Sequence, residues 1–433
     1  MGEIEDWLSE TDDFTVFLAY NSNVDALTDV DRDLQSLLDP PREELPERIE
    51  TSEDLSTAIV RSMEKGEGDE LPLTSDFEEW LENHVEVRRE RVGGQAGIMA
   101  DVLSVLGAEP VLYTYMLSER QKSVFRNPER IRFPRADNGL EIVPLEDVRN
   151  SEETKVNWVF EFDTDQKFFG VEPVKDSRFI AASRLERFNL EPGRLQEKAQ
   201  ELGNRVDAAI LSGYHDLKKS YSDGSTFEDH IETGREFIRS LRNGNDITVQ
   251  IEYGVTHNED LRQSIANEIA PESDVVSLDS HELHFLCRDL GIKIPEDDIA
   301  SRYRALRDIR DELGVPAVKL HARDYFLASS EGYRAEDYLA EGFRFASVVA
   351  AAKALTGTVN SASDLREGAE VKPSEKGVKA VQDLMDGLKY GDLTRGGKPV
   401  AVPNRVVGNP ESTVGIGDAA SASSFVLENA RCR

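Results

Sequence analysis

A repeated alternation of short apolar runs, Gly- or Asx-led turns and helical stretches constrains this chain most. Phe14 to Tyr20 is a strand-like run that stops at Asn21-Ser22-Asn23. Gly93-Gly94-Gln95-Ala96-Gly97 opens an apolar helix that runs to Leu106, and Pro110 to Tyr115 reads as the next buried strand. The rhythm returns from Ala208, with strands predicted at 208–211, 247–253, 275–278, 317–320 and 325–328. Strands that are apolar throughout and alternate with helices belong to a parallel sheet covered on both faces. Between about 150 and 190 the texture changes. Val156 to Phe162 alternates apolar and polar, and Lys167 to Val171 follows a polar turn, which predicts an antiparallel hairpin with one wet face. Residues 29–92 are charged and helical in pattern, with a loop over Lys65 to Pro72. The expected architecture is α/β, a doubly wound large domain carrying a smaller discontinuous α+β lid. The large domain takes residues 1–20, 93–150 and 200–433, and the lid takes 21–92 and 151–199.

Charge narrows the partners. The chain carries 84 acidic residues against 51 Lys plus Arg, a formal charge of −33. Such a field repels nucleic acid and anionic lipid, and no run of 18 or more apolar residues reads as a membrane span. The acids are dispersed along the chain, the pattern expected of a surface adapted to high salt. Two cysteines, Cys287 and Cys432, make no disulfide framework, and a reducing cytoplasmic setting is expected. Oligomeric state is left at a monomer or a small homo-oligomer.

Near the C-terminus, Gly415-Ile416-Gly417-Asp418 precedes an Ala/Ser-rich helix predicted over 419–428. Glycines let the backbone approach a ligand, and the amides of 415, 416 and 417 at a helix N-terminus suit a phosphoryl group. A carboxylate one residue on can accept the proton of an attacking hydroxyl. Taken alone, the tetrapeptide reads more readily as an N-cap aspartate after a glycine turn. Its surroundings decide the matter. The stretch Asn404-Arg405-Val406-Val407-Gly408-Asn409-Pro410, leading into Gly415, resembles the C-terminal signature of the archaeal ADP-dependent sugar kinases of the ribokinase-like superfamily. Asn21-Ser22-Asn23-Val24-Asp25 resembles their sugar-binding turn, and Gly93 to Ala100 their second glycine motif. These matches stand more than 300 residues apart in the sequence.

The resemblance implies transfer of the β-phosphoryl of ADP to fructose 6-phosphate, to glucose, or to both, with Mg²⁺. It implies that Asp418 is the base and that Gly415, Ile416 and Gly417 form the anion hole. It places Asn23, Asp25, Gly94 and Gln95 on the sugar. It places His281, His321, Ala322, Val407 and Gly417 on the nucleotide. Two motifs depart from the family. Where His-x-Glu is usual the chain reads Gln250-Ile251-Glu252, and where Asn-x-x-Glu is usual it reads His281-Glu282-Leu283-His284. Glu252 and Glu282 are then the candidate carboxylates for Mg²⁺, since histidine is a poor ligand for so hard a cation. In the family, a lid glutamate favours glucose, and Glu70 aligns with it, with Glu67 or Asp69 as alternatives. Lys155, Lys167, Lys175, Arg178, Arg184 and Arg187 form a local excess of cations in an acidic chain. Lys155, Asn157, Arg178 and Arg184 are therefore candidates to read a 6-phosphate. Two other readings stay open: an ATP-dependent kinase of the same superfamily, and a sugar or nucleotide sensor that lost catalysis with its metal motifs.

Overall fold

The computed structural model describes residues 2–66, 68–137, 139–183, 193–388 and 397–433. Its larger sheet has ten strands: β1 (Thr15–Ala19), β5 (Glu109–Tyr113), β6 (Arg132–Arg135), β7 (Glu141–Pro144), β10 (Ala208–Leu211), β11 (Thr248–Glu252), β12 (Val275–Leu278), β13 (Ala317–His321), β14 (Tyr325–Ser330) and β15 (Val400–Pro403). The order is β15-β14-β13-β12-β11-β10-β1-β5-β6-β7. From β13 through β5 all neighbours are parallel, and antiparallel pairs close both edges. The central strands read as near-continuous Val, Ile, Leu and Ala because both their faces are covered. Val16, Leu18, Ala209, Ile210, Val249 and Ile251 are all fully buried. This is the predicted α/β architecture. From β1 the chain winds outward to β5 on one side and, later, to β10 on the other. That reversal is a topological switch point, and in open α/β sheets ligands bind beyond the carboxyl ends of the strands that flank it, here β1 and its neighbours.

The second sheet has five strands, β2 (Asn23–Asp29), β3 (Asp69–Leu73), β4 (Arg89–Gly93), β8 (Val156–Phe162) and β9 (Ser177–Ser183), in the order β3-β9-β8-β2-β4. Alternation gives it two unlike faces. Val24, Ala26, Trp158, Phe160, Phe162, Phe179 and Ala181 enter a separate apolar core with Leu55, Ile59 and Met63 of the helix Ser52–Lys65. That helix is set by a Thr51/Asp54 capping box at one end and a left-handed Gly66 at the other.

Three local expectations are corrected. The antiparallel partner of β8 is β9, with β2 parallel on its other side, whereas Phe168 and Val171 make only an isolated bridge that closes a tight turn. Phe168 is fully buried in the small core, so its apolarity marks a plug rather than a strand. The loop expected over 65–72 contains the edge strand β3, whose Pro72 is tolerated at the sheet edge, where β9 is its strand neighbour and Ile49 adds only an isolated bridge on the other side. Asn21-Ser22-Asn23 is a brief crossing between sheets: Asn23 already begins β2. Among the described residues, no helix is long and apolar enough to cross a membrane.

Candidate active site

The other face of the small sheet is polar. With Val24 and Ala26 in the core, Asn23 and Asp25 turn the opposite way, and both are buried. In register, Asp25 stands opposite Asn157 of β8 and Arg91 of β4, while Asn23 stands opposite Gly93. Asn23 Nδ2 donates to Asp25 Oδ1 at 2.8 Å. Burial pushes the Asp25 carboxyl up, against the pull of Arg91 and the bond from Asn23. Asn23 Oδ1, Gln95 Oε1 and Asn157 Oδ1 are buried and have no hydrogen-bond partner among the described residues. Buried polar atoms rarely go unsatisfied unless a ligand or water completes them. Gly94 has φ +74°, and a Cβ there would lie 2.7 Å from Asn21 O, so only glycine lets Gln95 open its helix this close to the crossing strand.

Lys155 just precedes β8 and is 2% exposed. Its Nζ lies 2.7 Å from Asp216 Oδ2 and donates to Asn21 Oδ1 at 3.2 Å, so the lysine joins the small sheet to the end of β10 as a buried ion pair. Arg178, on β9, donates from Nη1 to Thr413 Oγ1 at 2.7 Å, and its Nε is buried without a partner among the described residues. Burial and the neighbouring Arg91 both lower its affinity for its proton. Glu70 lies half-buried on β3, in register with Ile180 of β9. Arg184, Arg187 and Glu67 lie outside the described residues.

At the C-terminal motif, the helix Ile416–Ala430 starts three residues before the expected 419, directly after Gly415 at φ +69°. Gly417 and Asp418 therefore belong to its first turn, where free amides and the helix dipole favour anions. A Cβ at Gly415 would meet Ile98 Cδ1 at 2.6 Å, and one at Gly417 would meet the His321 ring at 3.1 Å. His321 ends β13, and its Nε2 is 3.0 Å from Glu252 Oε1 at the end of β11. Burial opposes charge on His321, but the Glu252 bond, with Asp279 and Asp418 behind it, prevails and raises its pKa. Asp418 is pushed up to about 7, by burial first and then by Glu252, while His321 and Lys353 pull the other way. Lys353, 6% exposed on the helix Glu336–Thr356, is pushed down to about 8 by burial and by Arg91 and Arg126. Ala322 is buried, and Val407 is half-buried in the loop from Asn404 to Val414. That loop is rooted beside Ala322 by Asn404 N–H donating to Asp324 O at 2.9 Å.

The carboxylates fit a water-rich Mg²⁺ better than an all-protein cage. Glu252 Oε2 already accepts from Ser421 Oγ at 2.5 Å, and Oε1 faces His321. Glu282 caps its own helix, accepting from Asp279 N–H at 2.7 Å. Burial, Asp279 and Glu252, with Asp418 behind them, push its pKa well up. His281 is exposed on the same turn. Among the described residues, no cluster of three or more His, Cys, Asp or Glu is arranged as a metal site. Mg²⁺ commonly takes one or two carboxylates, several waters and substrate phosphate oxygens, and the mutually repelling Asp418, Glu252 and Glu282 suit that mode.

Sequence reasoning missed Arg91, Ser412, Thr413 and Lys353. Arg89 and Arg91 alternate on a strand immediately before Gly93-Gly94, a signal hidden by the charged helical texture around them.

The site is thus a glycine-led helix N-terminus carrying an elevated carboxylate, facing a polar sheet across a crevice, and the comparisons make it a kinase. The family described as "ADP-specific Phosphofructokinase/Glucokinase conserved region" matches residues 14–427. The chain is 30% identical to the ADP-specific phosphofructokinase of Thermococcus litoralis, with 97% of each chain covered. It is also 30% identical to the ADP-dependent glucose/glucosamine kinase of Pyrococcus furiosus, covering 95% of this chain and 94% of that one. A solved ADP-dependent kinase in complex with fructose-6-phosphate and ADPβS is 29% identical, with a TM-score of 0.87 over 99% of this chain and 97% of that one. This chain belongs to the ADP-dependent phosphofructokinase/glucokinase family.

Proposed function

We propose that this kinase transfers the β-phosphoryl of ADP to fructose 6-phosphate, and to glucose where Glu70 engages it, with Mg²⁺, in the cytoplasm. The observation that carries the sugar assignment is Arg178. It is a half-buried arginine on the polar face of the small sheet, its Nε without a partner among the described residues, in a chain whose net field repels a sugar phosphate. Asn23, Asp25, Gln95 and Asn157 would complete their hydrogen bonds on sugar hydroxyls, with Gly94 allowing the approach. The small sheet would act as the lid. Asp418 would take the hydroxyl proton, and the amides of Gly415, Ile416 and Gly417 would hold the phosphoryl group. His321, Ala322 and Val407 would flank the nucleotide. Bound Mg²⁺ would offset charge on the phosphates, held through Glu252 and Glu282 by way of water. A coupled assay in concentrated KCl, crossing ADP and ATP with both sugars, tests this. Turnover with ATP alone, or with neither sugar, would refute it.

One charge-assisted hydrogen bond to phosphate contributes roughly 1.5–3 kcal/mol. Arg178→Ala should therefore raise KM for fructose 6-phosphate about 10–100-fold and leave glucose nearly unchanged. Glu70→Ala should do the reverse, and equal losses on both sugars would remove the phosphate assignment.

The dispersed −33 charge supports a second proposal, that the fold is adapted to high salt. Screening shortens from about 10 Å at 0.1 M to about 3 Å at 1 M salt. Circular dichroism across a KCl series should show the fold weakening at the low end. Equal melting temperatures at both ends would refute the adaptation.

A further inference from the structure

The roles proposed above leave Arg91 without one. Its side chain is 13% exposed, and it holds two parts of the site at once. Nε stands 3.8 Å from Asp25 Oδ2, and Nη1 donates to Ser412 Oγ at 2.8 Å. Ser412 Oγ in turn accepts from Val414 N–H at 3.3 Å, one residue before Gly415. The guanidinium thus bridges the strand that carries the sugar-facing carboxylate and the loop that delivers the glycine N-terminus. Its remaining nitrogen, Nη2, is buried and has no hydrogen-bond partner among the described residues. Arg178, bonded to Thr413, and the buried Lys353 lie near enough for Arg91 to lower the proton affinity of both. Asp25, Glu70 and Asp418 offset part of this crowding, and an anion received between the cations would relieve the rest of the repulsion.

We propose that Arg91 is a catalytic residue that the small sheet contributes to phosphoryl transfer, its Nη2 donating to an oxygen of the group in flight. The proposal rests on the kinase reading given above. In that step the sugar hydroxyl oxygen bonds to the β-phosphorus of ADP. The bond from that phosphorus to the bridging oxygen breaks, AMP leaves with the electron pair, and the hydroxyl proton passes to Asp418. Negative charge on the moving phosphoryl oxygens is best met by donors already in place before reaction. The hydrogen bond to Ser412 holds one edge of the planar guanidinium and the ion pair with Asp25 draws Nε toward the strand, which leaves Nη2 as a donor whose direction is set when strand and loop are together.

The test uses the full chain, with Arg91→Ala and Arg91→Lys assayed on ADP and the better sugar. Losing one preorganised donor should lower kcat about 10²–10³-fold, with the sugar KM little changed. Millimolar guanidinium ion should restore part of the Arg91→Ala activity, and ethylammonium should not, since the planar fork is what is missing. Arg91→Lys should remain at least about tenfold impaired for the same reason. A kcat within about threefold of wild type, far short of a lost preorganised donor, would overturn the proposal. So would a loss confined to KM, or absence of guanidinium rescue. If circular dichroism shows Arg91→Ala unfolded, the Arg91→Lys kcat decides by the same criterion. A wild-type chain inactive with ADP on both sugars would instead overturn the substrate assignment, and this proposal with it.

Discussion

Asp418→Asn should lower kcat about 10²–10⁴-fold, the usual worth of a positioned general base, while sugar KM hardly moves. Asparagine keeps the shape and the first-turn position but cannot accept the hydroxyl proton. The wild-type pH profile should carry the same signature. Burial and Glu252 push this carboxyl up to about 7, so the proton-accepting form is scarce in acid and kcat should rise with pH through that value. Stability should run the other way. A carboxyl whose pKa is raised on folding binds its proton more tightly in the folded state, so the stability it contributes is fully present below the unfolded pKa. That contribution is lost as pH rises from about 4 to about 7. The Asn variant never ionises and should melt above wild type at pH 8, the gap opening across that window. Such a trade, activity gained at the expense of stability, is common where a buried group must react. Thermal melts and steady-state kinetics on the same two proteins check both halves. Near-wild-type kcat would reduce Asp418 to a helix-capping residue.

What could be read from the sequence was what local chemistry dictates. The central strands announced themselves because a parallel strand covered on both faces is apolar throughout, as Val249 and Ile251 are. The glycines announced themselves because only glycine allows the 2.7 Å approach at Gly94 and the left-handed start at Gly415. Edge strands were harder. Asp69–Leu73 lies at the edge of its sheet, where two acids and a proline are tolerated, and these same residues made it read as a loop. Arg89–Gly93 was lost in a charged stretch, and Arg91 with it. The least legible features were partnerships across long separations. Arg91 meets Ser412 321 residues away, Arg178 meets Thr413 235 away, and no local pattern encodes either contact. Asp418 was recognisable by motif, yet its elevated proton affinity depends on burial and on Glu252, which comes from the end of β11.

Lys155 shows what that blindness costs. In the sequence it is a cation beside Asn157 in an acidic chain, a natural reader of the 6-phosphate. In the fold it is 2% exposed and held 2.7 Å from Asp216 Oδ2, which is 4% exposed in turn. Removing one partner of such a pair strands the other charge in a dry site, an effect of about 3–5 kcal/mol. Lys155→Ala and Asp216→Ala should therefore each lower the melting temperature sharply and impair both sugars alike, because the pair ties β8 to the end of β10. Replacing both at once, Lys155→Met with Asp216→Leu, removes both desolvation penalties and should recover much of the lost stability. A double-mutant cycle by denaturant unfolding measures the coupling directly. The alternative has its own signature. If Lys155→Ala folds with wild-type stability and raises KM for fructose 6-phosphate alone, the ammonium leaves Asp216 to meet the phosphate when substrate arrives. The sequence-based role would then hold despite the buried pair.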